Sequence, residues 1–228
     1  MIRIPSDWFW MGSDAHFPWE KPRHRVFTDA FEIATTPVQR AGYAIFLKET
    51  DHQAPRGWTE AAFSEPDQPV VGVSWFDALA YCRWLSETTG ASWRLPTEAE
   101  WERASKGGDD TAEYAWGNEP PESFAYYRGE WPAPRPVGQS RPNGFGLFNM
   151  GDNVHEWCRD WYAPDYYAVS PELNPEGPPS GTRRVSRGGS WRHAVKASRA
   201  AHRSSLPPQY RYTDYGFRLV RSVRGDQN

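Results

Sequence analysis

The sequence predicts an α+β fold with little regular secondary structure. Helix signals are confined to the first half of the chain, and short strand signals lie near its end. The 228 residues include 13 Trp, 21 Pro and 19 Gly, which is typical of aromatic anchors packed beneath long irregular loops. No internal repeat or linker divides the chain. We therefore predict one domain over residues 1–221 and a frayed polar tail over residues 222–228.

The first helix is predicted from a capping pattern near residue 36. Thr36 is the expected N-cap, Pro37 occupies the first helical position, and Gln39 follows three residues after the cap. Apolar residues then recur at near-helical spacing, which indicates one buried face. These residues are Val38, Tyr43, Phe46 and Leu47.

Two further helices are predicted before residue 105. Ser74 caps the second, whose apolar stripe contains Ala78, Tyr81, Cys82 and Leu85. Thr97 and Glu100 have the spacing of a capping box for the third helix, which should run through residues 101–104. We expect all three helices to be short.

Beyond residue 105 the helical pattern ends. Residues 114–142 and 162–184 are rich in Pro, Gly, Tyr and Asn, which indicates long loops packed by their own aromatic side chains. Two short strands are predicted near the end of the sequence, over residues 184–187 and 215–220.

Charge and cysteine content exclude several classes of protein. A net charge of −3 provides no global attraction to nucleic acid or membrane, so we expect neither as a partner. No apolar run approaches the roughly 20 residues of a membrane span, and residues 1–6 do not resemble a signal peptide. Only Cys82 and Cys158 are present, which does not suit a disulfide-stapled secreted domain. These features predict a cytoplasmic protein.

Four pairs of motifs follow one another along the chain. The first pair is M-G-S at 11–13 and P-R-H-R-V at 22–26, and the second is P-V-V-G-V-S-W at 69–75 and R-L-P-T-E-A-E-W-E at 94–102. The third is N-G-F-G-L-F-N-M at 143–150 and N-V-H-E-W at 153–157, and the fourth is R-G-G-S-W at 187–191 and G-F-R at 216–218. Together they resemble the formylglycine-generating enzyme (sulfatase-modifying factor) family. The resemblance implies that family's variant of the C-type-lectin fold.

The residues of these motifs also have a structural interpretation. Arg94 could form a partly buried ion pair with Glu98 or Glu100, and Gly188-Gly189 suits a close backbone approach or a positive φ. Four motif tryptophans are expected to be core anchors rather than a cofactor site. They are Trp75, Trp101, Trp157 and Trp191.

The resemblance also implies a reaction that this sequence does not support. Formylglycine-generating enzymes oxidise a cysteine of a client sulfatase with two active-site thiolates that bind copper(I). At the corresponding positions this chain has Val195 and Ala200, which offer no thiol and no metal ligand. Cys82 and Cys158 are expected to be buried structural thiols, since free Cys is among the most buried residue types.

Two other branches of the resemblance leave the function open. Iron-dependent sulfoxide synthases join this fold to a helical domain that supplies part of a three-histidine iron site, and this chain has no such domain. Its six histidines show no local metal-binding spacing, although ligands can be distant in sequence. In variable proteins of diversity-generating retroelements, the same fold is a ligand-binding scaffold.

The segment after the R-G-G-S-W motif predicts a ligand pocket. Its Arg and His donors favour an anionic or carboxylate-bearing ligand, and its tyrosines offer flat walls. The alternative is that the arginines support loops through hydrogen bonds to carbonyl groups. The candidate pocket residues are Ser190, His193, Arg199, His202, Arg203, Tyr210, Tyr212 and Tyr215.

A structural calcium ion is expected in the loop over residues 149–156. Hard oxygen donors in a tight loop are what calcium selects. The resemblance implies side-chain ligands at Asn149 and Glu156 and carbonyl ligands at Asp152 and Val154. The Asp152 carboxylate could add a ligand or distort the loop. The family's other calcium site is not expected, because residues 126–130 do not keep its ligand pattern.

The sequence thus predicts a formylglycine-generating-enzyme-like domain that does not make formylglycine. We expect a binding module for a small-molecule or protein ligand, which uses the C-terminal half of the chain. The alternative is a divergent iron- or copper-dependent oxidoreductase, for which the redox metal is unknown.

Overall fold

The computed structural model describes residues 1–121 and 132–222 and contains three α-helices within these ranges. Helix α1 spans Arg40–Thr50, α2 spans Trp75–Thr89 and α3 spans Glu98–Lys106. Ten short strands accompany the helices. They are β1 (Ile2–Ile4), β2 (Asp7–Met11), β3 (His24–Thr28), β4 (Phe31–Ile33), β5 (Trp93–Arg94), β6 (His155–Trp161), β7 (Arg184–Arg187), β8 (Arg203–Leu206), β9 (Tyr215–Phe217) and β10 (Val220–Ser222).

The strands form three small sheets. One has the order β1-β4-β10-β5, a second is the β2-β3 hairpin, and the third has the order β8-β7-β6-β9. In the third sheet β6 and β9 are parallel, with His155 opposite Tyr215, whereas β6–β7 and β7–β8 are antiparallel. This sheet carries the end of the N-V-H-E-W motif and the start of the R-G-G-S-W motif on adjacent strands.

The predicted start of the first helix is wrong. Helix α1 begins at Arg40, and its N-cap Gln39 makes no side-chain capping bond. Val38 instead donates its backbone N–H to Phe217 and accepts one from Val70 through its carbonyl. The residues before α1 therefore join extended segments on both sides, and this tertiary pairing overrides the local capping pattern.

The other two helices begin as predicted. Ser74 and Asp77 form a reciprocal capping box at α2, and Thr97 and Glu100 form one at α3. Glycines with positive φ end both helices, at Gly90 and Gly107. No helix in the described ranges is long and apolar enough to cross a membrane.

Two aromatic-rich clusters make up most of the core. The first packs α1 and α2 against β9 and contains Trp75 and Trp157, whereas the second packs α3 against the sheets and contains Trp101. These three tryptophans are buried, as predicted, and Trp191 is half-buried at the edge of a smaller cluster. Cys82 lies in the first cluster and Cys158 in the second, and both are free thiols.

The loops predicted after residue 105 are present, but the last predicted strand is not continuous. Residues 114–121, 132–142 and 162–183 contain no strand beyond isolated bridges, and Arg184–Arg187 forms β7 as expected. Residues 215–220 divide between β9 and β10, which belong to different sheets. The break lies at Arg218, whose guanidinium is fully buried and pairs with Glu156 at 2.9 Å.

A buried ion network joins α3 to the third sheet. Glu98 accepts two hydrogen bonds from Arg203, at 2.7 and 2.9 Å, and one from Arg187 at 2.8 Å. Glu102 accepts from Arg187 at 2.6 Å and from the Gly12 backbone at 2.8 Å. Despite their burial, Arg203 and Arg187 hold the pKa of the Glu98 carboxyl below its usual range, and Lys106 and Arg187 do the same for Glu102. Beside this helix, Arg94 forms a partly buried ion pair with Glu100, one of its two predicted partners.

The network predicts a large loss of stability on removal of one arginine. Arg203→Ala should lower the free energy of unfolding by about 3–5 kcal/mol, because Glu98 would lose its bidentate partner inside the protein. Arg159→Ala is the matched control, since Arg159 pairs with Glu176 at the surface and its loss should cost under about 1 kcal/mol. Urea denaturation of both variants measures the difference. Equal losses would contradict a supporting role for Arg203.

Candidate functional site

Two imidazoles and a carboxylate converge where β6, β9 and the loop after β7 meet. His155 is the first residue of β6, and its backbone N–H donates to the carbonyl of Asp214, which directly precedes β9. His193 ends a turn in which its N–H donates to the carbonyl of Ser190. The turn is held against β6 by a backbone bond from Trp191 to Asn153. Backbone pairing therefore fixes the positions of all three side chains.

The side chains of this imidazole–carboxylate cluster (Ser190, His155, His193 and Asp214) are close enough to share protons. His155 Nε2 lies 2.7 Å from His193 Nδ1, and Ser190 Oγ lies 3.1 Å from Asp214 Oδ2 and 3.2 Å from His193 Nδ1. Burial and the neighbouring imidazoles lower the pKa of His155 to about 3, so its ring is neutral. One ligand atom each from His155, His193 and Asp214 lies within 4.8 Å of the other two, which suits a metal ion.

A row of aromatic rings connects the cluster to the surface. His155 contacts Tyr215 with ring centroids 4.8 Å apart, and Tyr215 contacts Tyr212, which contacts Tyr210. Tyr210 and Tyr212 are exposed, whereas Tyr215 is buried. The side chain of His193 is 46% exposed. The structure thus brings Ser190, His193 and the three predicted tyrosines into one region.

The two predicted donors Arg199 and Arg203 are both paired inside the protein. Arg199 makes a bidentate pair with Glu20 at 2.7 Å, and Arg203 is 2% exposed in the ion network with Glu98. Arg203 also donates to the carbonyl groups of Trp19 and Ala163, which agrees with the alternative that the arginines support loops.

His202 belongs to the same buried surroundings as Arg199. Its Nδ1 is 3.5 Å from Glu20, and its ring lies beside Phe17. Burial and the adjacent Arg199 charge lower the pKa of His202 to about 3. His202 is therefore neutral and is not a cationic donor for an anionic ligand.

A cavity of about 440 Å³ opens beside Arg199 and Ala201. Its walls carry charges of both signs, and none of the other predicted pocket residues lines it. Its polar lining includes Ser13, Asp14, His16, Lys106 and Glu113. This cavity had no signal in the sequence, because its walls come from four separate segments.

Comparison with known proteins identifies the family to which this chain belongs. The sequence profile of the sulfatase-modifying factor enzyme 1-like domain matches residues 1–223. The formylglycine-generating enzyme of Thermomonospora curvata is 39% identical over 224 residues, which cover 90% of this chain and 72% of that enzyme. The chain belongs to the formylglycine-generating enzyme family. The Streptomyces coelicolor enzyme is 35% identical over 283 residues and covers 96% of this chain, with 88% of its own length aligned.

Solved structures confirm the fold prediction. PvdO from Pseudomonas aeruginosa superposes with a TM-score of 0.85 at 27% identity and covers 97% of this chain and 93% of its own. Treponema denticola variable protein 1 superposes with a TM-score of 0.86 at 26% identity, with coverages of 98% and 95%. The formylglycine-generating-enzyme type of fold thus extends over nearly the whole chain.

Val195 and Ala200, which the family resemblance aligns with its cysteines, differ in their surroundings. Val195 is half-buried and packs against Tyr114 and Trp116. Ala200 is fully buried; its backbone N–H donates to the Glu113 carbonyl, and its own carbonyl accepts from Arg187. Neither side chain offers a ligand atom.

Both predicted side-chain ligands of calcium, Asn149 and Glu156, accept hydrogen bonds from within the protein. Both carboxylate oxygens of Glu156 accept from Arg218, and one also accepts from Trp101 at 2.7 Å. The Asn149 side-chain carbonyl accepts from Gly138 at 2.9 Å. Asp152 fits a cation better: burial raises its pKa to about 6, and it forms no ion pair within the described residues. Calcium stays a prediction, and residues 126–130 lie outside the described ranges.

His155 and Asp214 are not identified from the sequence as members of the cluster. His155 lay inside the predicted calcium loop, and Asp214 was absent from every candidate set. The one available signal is that His155 belongs to the N-V-H-E-W motif and that Asp214 lies two residues before the G-F-R motif. Their proximity depends on the parallel pairing of β6 with β9, which no local pattern encodes.

A calcium ion beside Asp152 predicts a stability difference between calcium-loaded and chelated protein. The melting temperature should be higher in calcium than in excess EGTA, because a ligand that binds only the folded state stabilises it, by about 2.7 kcal/mol at 100 times its Kd. Asp152→Asn should abolish the difference, whereas the exposed control Asp165→Asn should retain it. Identical melting temperatures for the unaltered protein would show that hydrogen bonds alone close the loop.

Proposed function

We propose that this family member does not make formylglycine and binds a small-molecule or protein ligand through its C-terminal half. The observation that carries the first part is the absence of an accessible thiol. Burial raises the pKa of Cys82 to about 12 and that of Cys158 well above its usual range. A thiolate is the form that binds copper(I) and reacts, so neither residue suits the family's chemistry.

The two cysteines also lie in different parts of the core, so they do not form a pair like that of the family. Cys82 lies on α2 in the first core cluster, and Cys158 lies on β6 in the second. With Val195 and Ala200 at the family's cysteine positions, no two thiols are available to bind one copper ion together.

The surface that would recognise a ligand is the aromatic row that ends at Tyr210 and Tyr212. Exposed tyrosines provide contact area at low conformational cost, and the half-exposed His193 and Arg192 at the other end of the row add polar donors. Since Arg199 and Arg203 are paired internally, an anionic preference would depend on Arg192 and His193 rather than on those two arginines. The likeness to a variable protein is consistent with a binding scaffold.

The absence of formylglycine synthesis is tested with a Cys-x-Pro-x-Arg peptide, copper(I), reductant and oxygen. Mass spectrometry should show unconverted cysteine, as in a reaction without protein, whereas the Streptomyces coelicolor enzyme serves as the positive control. Conversion well above background would refute the proposal. Cys82→Ser and Cys158→Ser would then identify the thiol that acts.

Ligand binding is tested by ligand-observed NMR with a panel of amino acids, aromatic and aliphatic carboxylates and short peptides. Compounds that bind the unaltered protein should bind at least about tenfold more weakly to Tyr212→Ala, because the stacking surface is removed. Trp10→Ala is the matched control, since Trp10 is equally exposed on β2. Binding that is lost in His16→Ala but retained in Tyr212→Ala would place the ligand in the 440 Å³ cavity instead.

A divergent metal-dependent oxidoreductase is the second candidate, and the imidazole–carboxylate cluster favours it. Two imidazoles and one carboxylate with open positions are the ligand set of non-haem iron(II) oxygenases. A protein purified without oxygen and loaded with iron(II) should consume oxygen in the presence of ascorbate, and His193→Ala should reduce the rate to that of free iron. No uptake above free iron would leave binding as the function.

A further inference from the structure

We propose that His155, His193 and Asp214 bind one divalent first-row transition-metal ion, with His155 Nε2, His193 Nδ1 and an Asp214 carboxylate oxygen as ligands. This ligand set replaces thiolate sulfur by nitrogen and oxygen. It does not depend on the proposed ligand binding, and the oxidoreductase alternative requires it. The ion would lie at the inner end of the aromatic row.

The distances between the ligand atoms suit such an ion. Ligands at about 2.0–2.2 Å from a metal, at tetrahedral or octahedral angles, lie roughly 3.0–3.5 Å from one another. The observed separations are 2.7 Å between the two nitrogens and 3.8 Å from His193 Nδ1 to Asp214 Oδ2. A shift of a few tenths of an ångström in His193 would bring these two separations into range, and all three ligand atoms lie within 4.8 Å of one another. This side chain is half-exposed at the end of a turn, so it has room to move.

In the hydrogen bond between the two imidazoles, a proton occupies the position that the metal ion would take. Two ring nitrogens 2.7 Å apart must share one proton, because two facing lone pairs would repel each other. A metal ion takes the place of that proton and accepts both lone pairs. The proton would move to the other nitrogen of the same ring, because a neutral imidazole carries one proton and binds a metal through the nitrogen that lacks it.

The buried ligands are held in place by the frame of the fold rather than by the ion. His155 and Asp214 are joined by a backbone bond of 2.9 Å between adjacent segments, and Ser190 orients the Asp214 carboxylate. Outer hydrogen bonds of this kind orient ligands and tune affinity. Arg192, 3.8 Å from Asp214 and half-exposed, is the only described cation in an ion pair with that carboxylate besides His193. It can turn to solvent when a metal arrives.

The donor chemistry selects the class of ion. Imidazole nitrogen suits iron, cobalt, nickel, copper and zinc, whereas calcium and magnesium prefer oxygen ligands. Three protein ligands leave at least one coordination position free, which is typical of catalytic rather than structural sites. The free positions would face the exposed side of His193, where a ligand on Tyr210 and Tyr212 could reach them.

The test uses untagged protein, freed of metal with EDTA, and titrated with cobalt(II) in the presence of millimolar calcium. Calcium occupies any oxygen-ligand site, so the visible d–d absorption of cobalt reports only nitrogen-containing sites. We expect one ion per chain. His193→Ala should weaken binding at least about 100-fold, and Ser190→Ala about 10-fold, as for outer-shell partners elsewhere. His16→Ala, a half-exposed histidine paired with Glu113, should bind as the unaltered protein does.

Two results would overturn the inference. One is the absence of cobalt absorption in the unaltered protein, and the other is unchanged binding in both His193→Ala and Asp214→Asn. Circular dichroism and melting temperature establish that each variant is folded, and the exposed position of His193 makes that variant the primary test. Stoichiometric cobalt binding without oxygen uptake by the iron(II) form would retain the metal site and reject only the oxidoreductase alternative.

Discussion

The fold depends on two carboxylates of α3 that are buried together with two arginines of the third sheet. Burial disfavours the charged forms of all four groups, and the pairing of Glu98 and Glu102 with Arg187 and Arg203, together with Lys106 on Glu102, offsets that cost. This mutual requirement joins β7, β8 and α3 into one unit. A chain with so few hydrogen-bonded elements needs such a constraint, because its long loops contribute little regular backbone pairing of their own.

The same network explains why two motifs far apart in sequence occur together. R-L-P-T-E-A-E-W-E supplies the carboxylates, and R-G-G-S-W begins with Arg187. The glycine that follows, Gly188, has φ of +77°, and a Cβ there would lie 3.0 Å from Gly151 and 3.2 Å from Trp101. The chain therefore turns sharply after Arg187, so that the buried Ser190 follows three residues later and the half-exposed His193 six residues later.

How much of this could be predicted from the sequence depends on the range of each interaction. The capping boxes at Ser74 and Thr97 are local, and both were predicted with their positions. The helix start at Thr36 was wrong because Val38 pairs with residues far along the chain, at Val70 and Phe217. The fold was predicted from the order of the family motifs. Local patterns of apolar and capping residues do not show which loop contacts which sheet.

In the candidate site, too, only residues close together in sequence could be predicted to lie close together in the structure. Ser190 and His193 lie within one turn, so their proximity was within reach of the sequence. Arg199 and Arg203 were predicted as ligand donors because arginine is a common anion partner, but their partners Glu20 and Glu98 are about 180 and 105 positions away. Asp214 was missed because only the pairing of β6 with β9 brings it next to His155.

The two faces of strand β6 separate the residues of the core from those of the candidate site. Side chains alternate along a strand, so Glu156 points to Arg218 and Trp101 in the core while His155 points to His193 and Tyr215 on the opposite side. The charges that hold the fold thus lie on one face, and the groups able to bind a ligand or a metal lie on the other. Val195 and Ala200 carry no charge and take no part in the network except through the Ala200 carbonyl, which any residue would supply. Val or Ala at these two positions therefore leaves the ion network intact, and the imidazole and carboxylate groups beside His155 lie apart from that network.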